Sequence, residues 1–465
     1  MRNGAAKVDC RVVGREDNMS SSERLPGARS LTLRIPDSVS KHGDVIWRVL
    51  LVLLAIAWVG ANVYFHGGIL SAYDEWVYVD YLDKLPEQPY VKQGETIGPF
   101  TGGLMSCFGI ERTGPIGAPC GGDYSNPLDY PQAGVSGAAA YPPVFFWVTW
   151  AVSRVFAIVP GVDELGAFRL TGMVWLIPTV LVLYQLIRYL SVSRCTAFYL
   201  SALFIVTPFS WWTYTFVSTD APVAGLGALS LLLALRALRG EGSLWPLVVV
   251  SFAGGLVKLT PVFGLGLAVL VLLVRRWRGE TELSWRRVLV GSGASVLALV
   301  VPQAAWMVFA KVTAVGAPPD QGILLPRSSL PVAIQETITL FLDDTVPVRS
   351  QMEVYAITET LTFFLHAIIV VGVIGTALLA ARGTEERAIG MSTLIAALVF
   401  GPVLMLSLAV IGSAFPLPAR YGAGLVPAFF LCAGLFARRA TTRWPFAFVS
   451  LAVVAFQLVR IPASA

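Results

Sequence analysis

Charged residues are scarce in this sequence. They make up 14 % of its 465 residues, whereas a soluble domain carries about 25 %. Apolar residues reach 55 %, and many stand in blocks of about 20 residues, the length of a helix that crosses a bilayer. This composition excludes a soluble globular protein and predicts an all-α polytopic membrane protein. The net charge of +5 does not indicate nucleic-acid binding, because the basic residues stand between the apolar blocks, as in cytoplasmic loops.

Ionisable residues are nearly absent from the middle of the apolar blocks. His366 is the one such side chain well inside a block, and a single histidine there is also compatible with a packed core. Ion-coupled transporters usually carry acids or histidines at mid-membrane and broken helices that correspond between two halves. The pattern disfavours a lipid or polysaccharide transporter. That function and a non-catalytic subunit of an envelope-assembly complex remain the alternatives to an enzyme.

Cysteines are also few. The sequence has five, and no spacing of cysteine and histidine resembles a zinc site. Cys107 and Cys120 are the two that fall in the long loops assigned below to the outer face. A cysteine pair on the oxidising side of a membrane is usually bonded, so a Cys107–Cys120 disulfide is predicted, with two unpaired thiols as the alternative.

Eleven apolar blocks are predicted to cross the membrane, forming a transmembrane domain over residues 45–465. Residues 1–44 are polar with mixed charge and predict a disordered cytoplasmic tail. Two of the blocks are short enough to be a broken or tilted pair, Leu244–Val257 and Thr260–Val274. The other nine are Val45–Phe65, Ala167–Tyr189, Cys195–Trp212, Ala221–Leu238, Val288–Ala310, Leu361–Ala381, Met391–Ile411, Tyr421–Phe436 and Phe446–Val459.

Arginine clusters predict the orientation. They fall between alternate blocks, and placing all of them in the cytoplasm gives one consistent topology. The long loops 66–166 and 311–360 are then outside, and the second loop could drape over the first. Tyr141–Val159 is apolar enough to cross, but a crossing there would turn every later cluster outward. It is therefore predicted to be an interfacial helix, entered through two prolines that suit a first helical turn.

The segment Ser71–Asp83 follows the first apolar block almost at once. It places four acids among four aromatic residues. Carboxylates near a bilayer are costly and are kept there mostly for function, while aromatic side chains suit the interface. Two interpretations stay open: an interfacial helix with solvated acids, or an acidic catalytic site at the membrane surface, with Asp74 and Glu75 as the catalytic candidates.

Further charged residues stand at the outer ends of later blocks. Asp220 precedes Ala221-Pro222, which suits a helix N-cap or a second functional acid. Lys258 lies in the turn between the two short blocks, where it could snorkel to the interface. Arg420, followed by Tyr421, runs against the positive-inside bias and needs an anionic partner, for which a lipid phosphate is suitable.

Acids and cations on the same side of the membrane suit one type of reaction. A sugar hydroxyl that attacks an anomeric carbon needs a general base, and a leaving lipid phosphate needs positive charge rather than a proton. On this hypothesis Asp74 is the base, Arg420 and Lys258 hold the phosphate, and Asp220 binds the acceptor or a divalent cation.

Five short motifs, in this order along the chain, resemble those of the GT-C superfamily of membrane glycosyltransferases, and most closely a group of bacterial integral membrane proteins within it. The resemblance covers about residues 45 to 440. The element around Asp220 lacks the usual asparagine, which leaves metal binding open. The motifs are Asp74-Glu75, Tyr141-Pro-Pro-Val-Phe-Phe, Ser218-Thr-Asp-Ala-Pro222, Lys258-Leu-Thr-Pro261 and Arg420-Tyr-Gly-Ala-Gly-Leu-Val-Pro427.

The resemblance implies a GT-C-like bundle of about eleven transmembrane helices, with interfacial helices in the first outer loop. It also implies hexosyl or pentosyl transfer from a polyprenyl-phosphate sugar to an envelope glycan, lipid or protein acceptor at the outer face of the plasma membrane. Tyr141 and Tyr421 become expected substrate-binding residues through their motifs. No cofactor is implied with certainty, although a divalent metal is possible.

Overall fold

The computed structural model describes residues 37–72, 74–111, 113–319, 324–338, 356–410, 412–438 and 440–460. These residues contain no β-strand, only isolated bridges, as predicted for an all-α protein. The α-helices are α1 (Asp37–His66), α2 (Glu75–Lys84), α3 (Pro99–Cys107), α4 (Val144–Phe156), α5 (Glu164–Leu170), α6 (Gly172–Tyr189), α7 (Arg194–Ile205), α8 (Pro208–Thr215), α9 (Ala221–Leu238), α10 (Trp245–Gly255), α11 (Val262–Trp277), α12 (Trp285–Val312), α13 (Leu330–Glu336), α14 (Ala356–Leu379), α15 (Glu385–Val410), α16 (Val426–Phe436) and α17 (Ala440–Arg460).

Six helical segments of the described chain are long and apolar enough to cross a membrane, and a seventh crossing is possible if the bent pair α7 and α8 forms one span. Further apolar helices, α10 and parts of α14 and α17 among them, are 10–17 residues long. A multi-pass membrane protein is therefore supported by helix length and composition. The count of eleven crossings stays a prediction.

Two predicted boundaries differ from the structure. Helix α1 begins at Asp37, so residues 37–44 belong to it rather than to a disordered tail, and residues 1–36 lie outside the described part. The block Cys195–Trp212 is not one straight helix, because α7 and α8 meet at an angle of 60°. Thr207 caps α8 through the amide of Ser210, and Pro208 occupies the first turn, so the sequence itself starts a new helix there.

The first long loop is folded into helices and turns. Cys107 ends α3 and is bonded to Cys120, which confirms the predicted disulfide. Helix α4 has 13 residues, too few to cross a bilayer core of about 30 Å at 1.5 Å per residue. The predicted non-crossing helix after Tyr141 is thus present. Its place at a membrane interface remains a prediction.

The second long loop begins against the first, as the sequence suggested. The amides of Val315 and Gly316 both donate to the carbonyl of Gln93 at 2.9 and 3.2 Å. The backbones touch at Gly94, where a Cβ would lie 2.3 Å from backbone atoms of Gly316 and φ is +88°. Glycine is required at Gly94 both by this close approach and by the left-handed conformation. Residues 320–323 and 339–355 of the second loop lie outside the described part.

Glycines allow the turn before α16 to pack closely against α9 and α11. A Cβ on Gly227 of α9 would lie 2.1 Å from the carbonyl oxygen of Gly424, and one on Gly264 of α11 would lie 2.6 Å from Gly227. Such close backbone packing is typical of helices in membranes. It holds the 3₁₀ turn Ala419–Leu425 beside the start of α9, and so brings Arg420 near Asp220.

Candidate active site

A buried ion pair organises the loop around Asp74. Arg169 of α5 donates from Nε and Nη2 to the two carboxylate oxygens of Glu75, at 2.8 and 2.9 Å. The same carboxylate accepts the backbone amides of Ser71 and Val217, at 2.8 and 3.0 Å. The arginine also donates to two carbonyl oxygens in the turn after α1, at Gly67 and Ile69. Both charges are buried and satisfied, as a buried pair requires.

Glu75 is therefore a positioning residue and not a base at an open surface. Its side chain has no exposed area. Through its bonds to Ser71 and Val217 it ties the loop before α2 to the loop before α9, which fixes the neighbouring Asp74 and Ser218. This burial argues against the predicted assignment of Glu75 as a catalytic residue.

Asp74 forms an ion pair with Arg420. The Nη2 atom of Arg420 donates to Oδ2 of Asp74 at 2.6 Å, and 38 % of the Asp74 side chain and 21 % of the Arg420 side chain remain exposed. Asp74 precedes α2 with φ 54° and makes no side-chain capping bond. This left-handed backbone costs a non-glycine residue about 1–2 kcal/mol, although Asp and Asn adopt it more readily than most. Asp74 takes the N-cap position of α2, but its carboxylate pairs with Arg420 instead of capping the helix.

Asp220 and Lys258 form a second ion pair. Lys258 lies in the turn between α10 and α11, and its Nζ donates to Oδ1 of Asp220 at 2.6 Å. Both side chains are buried, with 7 % and 2 % of their areas exposed. Asp220 makes no capping bond to α9, and Lys258 does not extend to the surface. Asp220 thus takes the predicted N-cap position of α9, but its carboxylate pairs with Lys258 instead of capping the helix. The snorkelling interpretation of Lys258 is wrong.

Tyrosines lie between the two ion pairs. The hydroxyls of Tyr78 and Tyr141 are 3.3 Å apart, and Thr219, next to Asp220, donates to Tyr78 at 3.2 Å. The Nζ of Lys258 lies 5.5 Å from the ring centre of Tyr141 and 5.7 Å from that of Tyr421, which places a cation over two aromatic faces. The structure thus brings both motif tyrosines, Tyr141 and Tyr421, to the charged residues.

Burial sets the charge states of this cluster. It raises the pKa of Tyr78 well above its ordinary value, and neighbouring Tyr141 raises it further. Burial also raises the pKa of Tyr141, so both phenols keep their protons and act as neutral hydrogen-bond groups. Burial lowers the pKa of the Lys258 ammonium, while the Asp220 carboxylate opposes that shift and Arg420 adds to it.

An open cavity of about 120 Å³ adjoins these residues. Its wall is formed by α8, by the loop that precedes α9 and by the turn around Arg420. Asp220 and Arg420 are the charged members of the wall, one from each ion pair. The other lining residues are Ser71, Phe209, Trp212, Thr213, Val217, Ser218, Pro418 and Ala419.

The residues around Asp220 do not suit a divalent metal ion. Within the described residues there is no cluster of three or more His, Cys, Asp or Glu side chains. The Asp220 carboxylate instead has the ammonium of Lys258 at 2.6 Å, and that positive charge occupies a position a cation would need. The possible metal at Asp220 has no support in this donor set.

Sequence reasoning identified most of this site but not all of it. Asp74, Arg420, Asp220, Lys258, Tyr141 and Tyr421 are brought together, and Glu75 lies beneath them. It missed Arg169, for which a signal existed: this lone arginine stands near the start of the block Ala167–Tyr189, away from the arginine clusters. It also missed the contribution of α8, because nothing in the apolar pattern distinguishes Trp212 as a cavity residue.

Known proteins share this arrangement of helices. A family model described as dolichyl-phosphate-mannose-protein mannosyltransferase matches residues 140–306, about a third of the chain. ArnT from Cupriavidus metallidurans, bound to undecaprenyl phosphate, is similar at a TM-score of 0.50 and 18 % identity, covering 88 % of this chain. This similarity shows that the chain has the GT-C fold. No curated protein sequence matches it.

Other solved GT-C structures give similar values. ArnT in the apo state has a TM-score of 0.50 at 17 % identity, covering 90 % of this chain and 64 % of ArnT. The archaeal oligosaccharyltransferase AglB from Archaeoglobus fulgidus, in complex with an inhibitory peptide and a dolichol-phosphate, has a TM-score of 0.50 at 13 % identity over 91 % of this chain. The chain spans 63 % of ArnT bound to its lipid and 56 % of this AglB. At these identities the similarity shows the fold.

Proposed function

We propose that this protein is a glycosyltransferase that moves a sugar from a polyprenyl-phosphate donor to an acceptor hydroxyl or amide. The observation that carries the proposal is the Asp74–Arg420 ion pair, whose arginine lines the cavity. In this reaction the bond between the acceptor atom and the anomeric carbon forms, and the bond from that carbon to the phosphate oxygen breaks. The acceptor proton goes to a base, and the electron pair leaves with the phosphate.

Arg420 is the residue proposed to hold the phosphate. Its guanidinium can donate two parallel hydrogen bonds to phosphate oxygens, and 21 % of its side chain is exposed. Without a donor, the Asp74 carboxylate occupies this guanidinium. A donor phosphate would compete with that carboxylate, so donor binding and release of Asp74 would be coupled. ArnT, which has a similar fold, was solved bound to undecaprenyl phosphate, a ligand of the class proposed for this site.

Asp74 is the proposed general base. It is the most exposed carboxylate of the two ion pairs, at 38 % against 2 % for Asp220, so an acceptor can approach it. Its neighbour Glu75 is bonded on both oxygens and cannot serve. The strained backbone of Asp74 is a further indication, because such strain concentrates at functional sites. A positioned base typically contributes 10²- to 10⁴-fold to the rate.

Lys258 is proposed to act through Asp220 and through the electrostatic field of the site. It is not part of the cavity wall, and its ammonium is bonded to Asp220. Its positive charge still lowers the energy of negative charge that develops on the departing phosphate. The two rings of Tyr141 and Tyr421 keep the ammonium in place and exclude water around it. Lys258, Tyr141 and Tyr421 are thus proposed to support substrate binding from behind the cavity wall.

The acceptor and the side of the membrane follow from the same proposal. The arginine clusters favour a cavity at the outer face, and the proposal adds that the membrane is the plasma membrane, where envelope glycans, lipids and exported proteins are available as acceptors. AglB was solved in complex with an inhibitory peptide. The acceptors tested should therefore include a peptide together with glycans and lipids.

The test uses the purified protein in liposomes with a panel of polyprenyl-phosphate sugars and acceptors. The expected result is donor-dependent glycosylation of an acceptor, with free polyprenyl phosphate as the second product in equal amount. Movement of intact lipid-linked sugar across the bilayer without any glycosylated product would instead establish the transporter alternative. Binding of the donor with neither reaction across the panel would favour a non-catalytic subunit.

A further inference from the structure

The connection between α11 and α12 carries an excess of positive charge. Residues 275–287, named here the arginine turn, contain five arginines and two glutamates, a net charge of +3. Arg275 is used within the turn, because its Nε lies 3.2 Å from Oε2 of Glu280 and its Nη2 donates to the carbonyl of the same residue at 2.8 Å. The second acid, Glu282, is exposed and forms no ion pair with another described residue. Most of the positive charge therefore remains uncompensated.

This excess distinguishes the arginine turn from the other arginine clusters. Ion pairs compensate most of those clusters: Arg188 and Arg194 pair with Asp44, Arg239 with Glu385, and Arg438 with Glu386. In the arginine turn, Arg278, Arg286 and Arg287 are exposed. Within the part of the chain that the structure describes, their side chains form no ion pair and no hydrogen bond. Three guanidinium groups are thus available to an external anion.

The helix ends hold these three arginines in a compact turn. The amide of Arg278 donates to the carbonyl of Val274 at 3.1 Å, which closes the end of α11. Ser284 caps α12 by accepting the amide of Arg287 at 3.3 Å, so Arg286 and Arg287 both lie in the first turn of α12. Positive charge in a first helical turn is unfavourable, because the helix dipole is positive there. A neighbouring anion would remove that cost.

Tryptophans indicate that the arginine turn lies at a membrane surface. Helix α12 is long and apolar enough to cross a membrane, and it begins at Trp285. The exposed fractions of Trp277 and Trp285 are 79 % and 41 %, and tryptophan is enriched where a membrane meets water. The guanidinium carbon of Arg276 lies 5.7 Å from the centre of the Trp285 ring, so cation and ring share one surface. The arginines then lie at the depth of lipid headgroups.

We propose that the arginine turn binds the headgroup of an anionic phospholipid. The guanidinium groups of Arg278, Arg286 and Arg287 would donate paired hydrogen bonds to its phosphate oxygens. A zwitterionic headgroup carries the same phosphate together with a cation that the arginines repel, so a headgroup with net negative charge is preferred. Clusters of basic residues beside a membrane helix recognise anionic lipids in this way. The site does not depend on the proposed glycosyl transfer.

The experiment measures lipid binding to the purified full-length protein. The protein in a neutral detergent is titrated with dioctanoyl phosphatidylglycerol or dioctanoyl phosphatidylcholine, and native mass spectrometry counts the bound lipid. The wild type should bind phosphatidylglycerol about tenfold or more tightly than phosphatidylcholine. This preference should shrink when the ionic strength is raised from about 0.05 M to about 0.5 M, because salt screens exposed charges.

Two triple variants locate the site. Replacement of Arg278, Arg286 and Arg287 together by glutamine should reduce the preference to about twofold or less. The control combines Arg48→Gln, Arg236→Gln and Arg382→Gln, which removes the same number of exposed arginines elsewhere in the molecule and should keep the preference. Thermal unfolding of both variants confirms that they fold.

A further variant changes the charge in the opposite sense. Glu282→Gln removes an exposed acid from the arginine turn and should raise the preference about threefold. If the triple variant of the arginine turn fails to fold, Glu282→Gln decides the question, and an unchanged preference then overturns the proposal. An equal affinity of the wild type for the two lipids would also overturn it. So would a full preference in the arginine-turn variant, or an equal loss in both triple variants, which would show an effect of net charge alone.

Discussion

Asp74 and Arg420 stand 346 residues apart in the chain, and their side chains meet at 2.6 Å. One follows the first membrane-crossing helix, and the other begins the turn before α16. The close packing of Gly227 and Gly264 against Gly424 holds that turn in position. The contact joins an early and a late part of the chain beside one cavity, so it depends on the fold as a whole.

Replacement of Asp74 by asparagine tests the base. Asn keeps the size of the side chain and tolerates the left-handed backbone, so the variant should fold and bind donor. Loss of the base should lower turnover by roughly 10²-fold or more, measured with a donor for which the wild type is active. The control is Asp129→Asn, an exposed acid of the same loop region. Near wild-type turnover in Asp74→Asn would exclude Asp74 as the base.

Replacement of Arg420 tests the phosphate site. Arg420→Lys keeps the charge and loses the paired donors of the guanidinium, so the KM for the lipid donor should rise while the KM for the acceptor stays constant. Arg420→Ala should bind bare prenyl phosphate more weakly still, because no cation remains on the cavity wall. Steady-state kinetics with each substrate varied in turn separates the two constants. An unchanged response to donor in Arg420→Ala would remove this residue from the site.

The buried pair of Glu75 and Arg169 should matter for stability. Removing one partner of a buried pair costs about 3–5 kcal/mol, because the other charge remains buried without a partner. Glu75→Gln should therefore lower the unfolding temperature strongly. The matched control is Glu164→Gln, which breaks a pair to Arg154 with both side chains about 40 % exposed and should cost under about 1 kcal/mol. Equal unfolding temperatures in the two variants would contradict the positioning role of Glu75.

Asp83 should make stability depend on pH. Burial raises the pKa of Asp83 from 3.8 to about 6, and nearby Glu164 and Asp80 add to the shift. A raised pKa means that the folded state holds the proton more tightly than the unfolded state. The favourable contribution of protonated Asp83 to the free energy of unfolding is complete below about pH 4, and it is lost as the pH rises through about 6.

Asp83→Asn removes this titration. The variant should unfold at a higher temperature than the wild type at about pH 8, and the difference should disappear near pH 4. Thermal unfolding of both proteins across this range measures the effect. A difference that is constant with pH would show that the change acts through packing rather than through the charge of Asp83.

Labelling of single introduced cysteines tests the orientation. Ser125 lies in the first long loop and Glu282 in the turn between α11 and α12, and both are exposed. If the arginine clusters are cytoplasmic, an impermeant thiol reagent on intact cells should label Ser125→Cys and not Glu282→Cys. After permeabilisation both should label. The reverse pattern on intact cells would invert the topology and place the cavity in the cytoplasm.

Local sequence patterns were sufficient for the class of fold and for part of its detail. Long apolar blocks with few charges predict helices in a membrane, because a helix satisfies its own backbone hydrogen bonds where no water is present. The two cysteines of the first long loop were sufficient to predict the disulfide between them. The two prolines after Tyr141 directly precede a short helix, and Pro143 takes its N-cap position. Each of these inferences depends on neighbouring residues in the chain.

Which acid pairs with which cation could be seen only in the tertiary structure. The sequence nominated Asp74, Asp220, Lys258 and Arg420 as one site, but it could not tell which acid would meet which cation. It also treated Glu75 as a catalytic candidate and left Arg169 unnoticed. The pairing depends on where α5, α9, α11 and the turn before α16 come together, and that depends on helix packing between distant segments.

The sequence by itself thus determined that this protein is a helical membrane protein with acids and cations at one end of its helices, because hydropathy and charge act locally. Only the tertiary structure decided that Glu75 is buried on Arg169, that Asp74 stays partly exposed on Arg420 and that Asp220 is buried on Lys258. The physical reason is that burial and distance determine what a charge can do, and both arise from contacts between residues far apart in the chain.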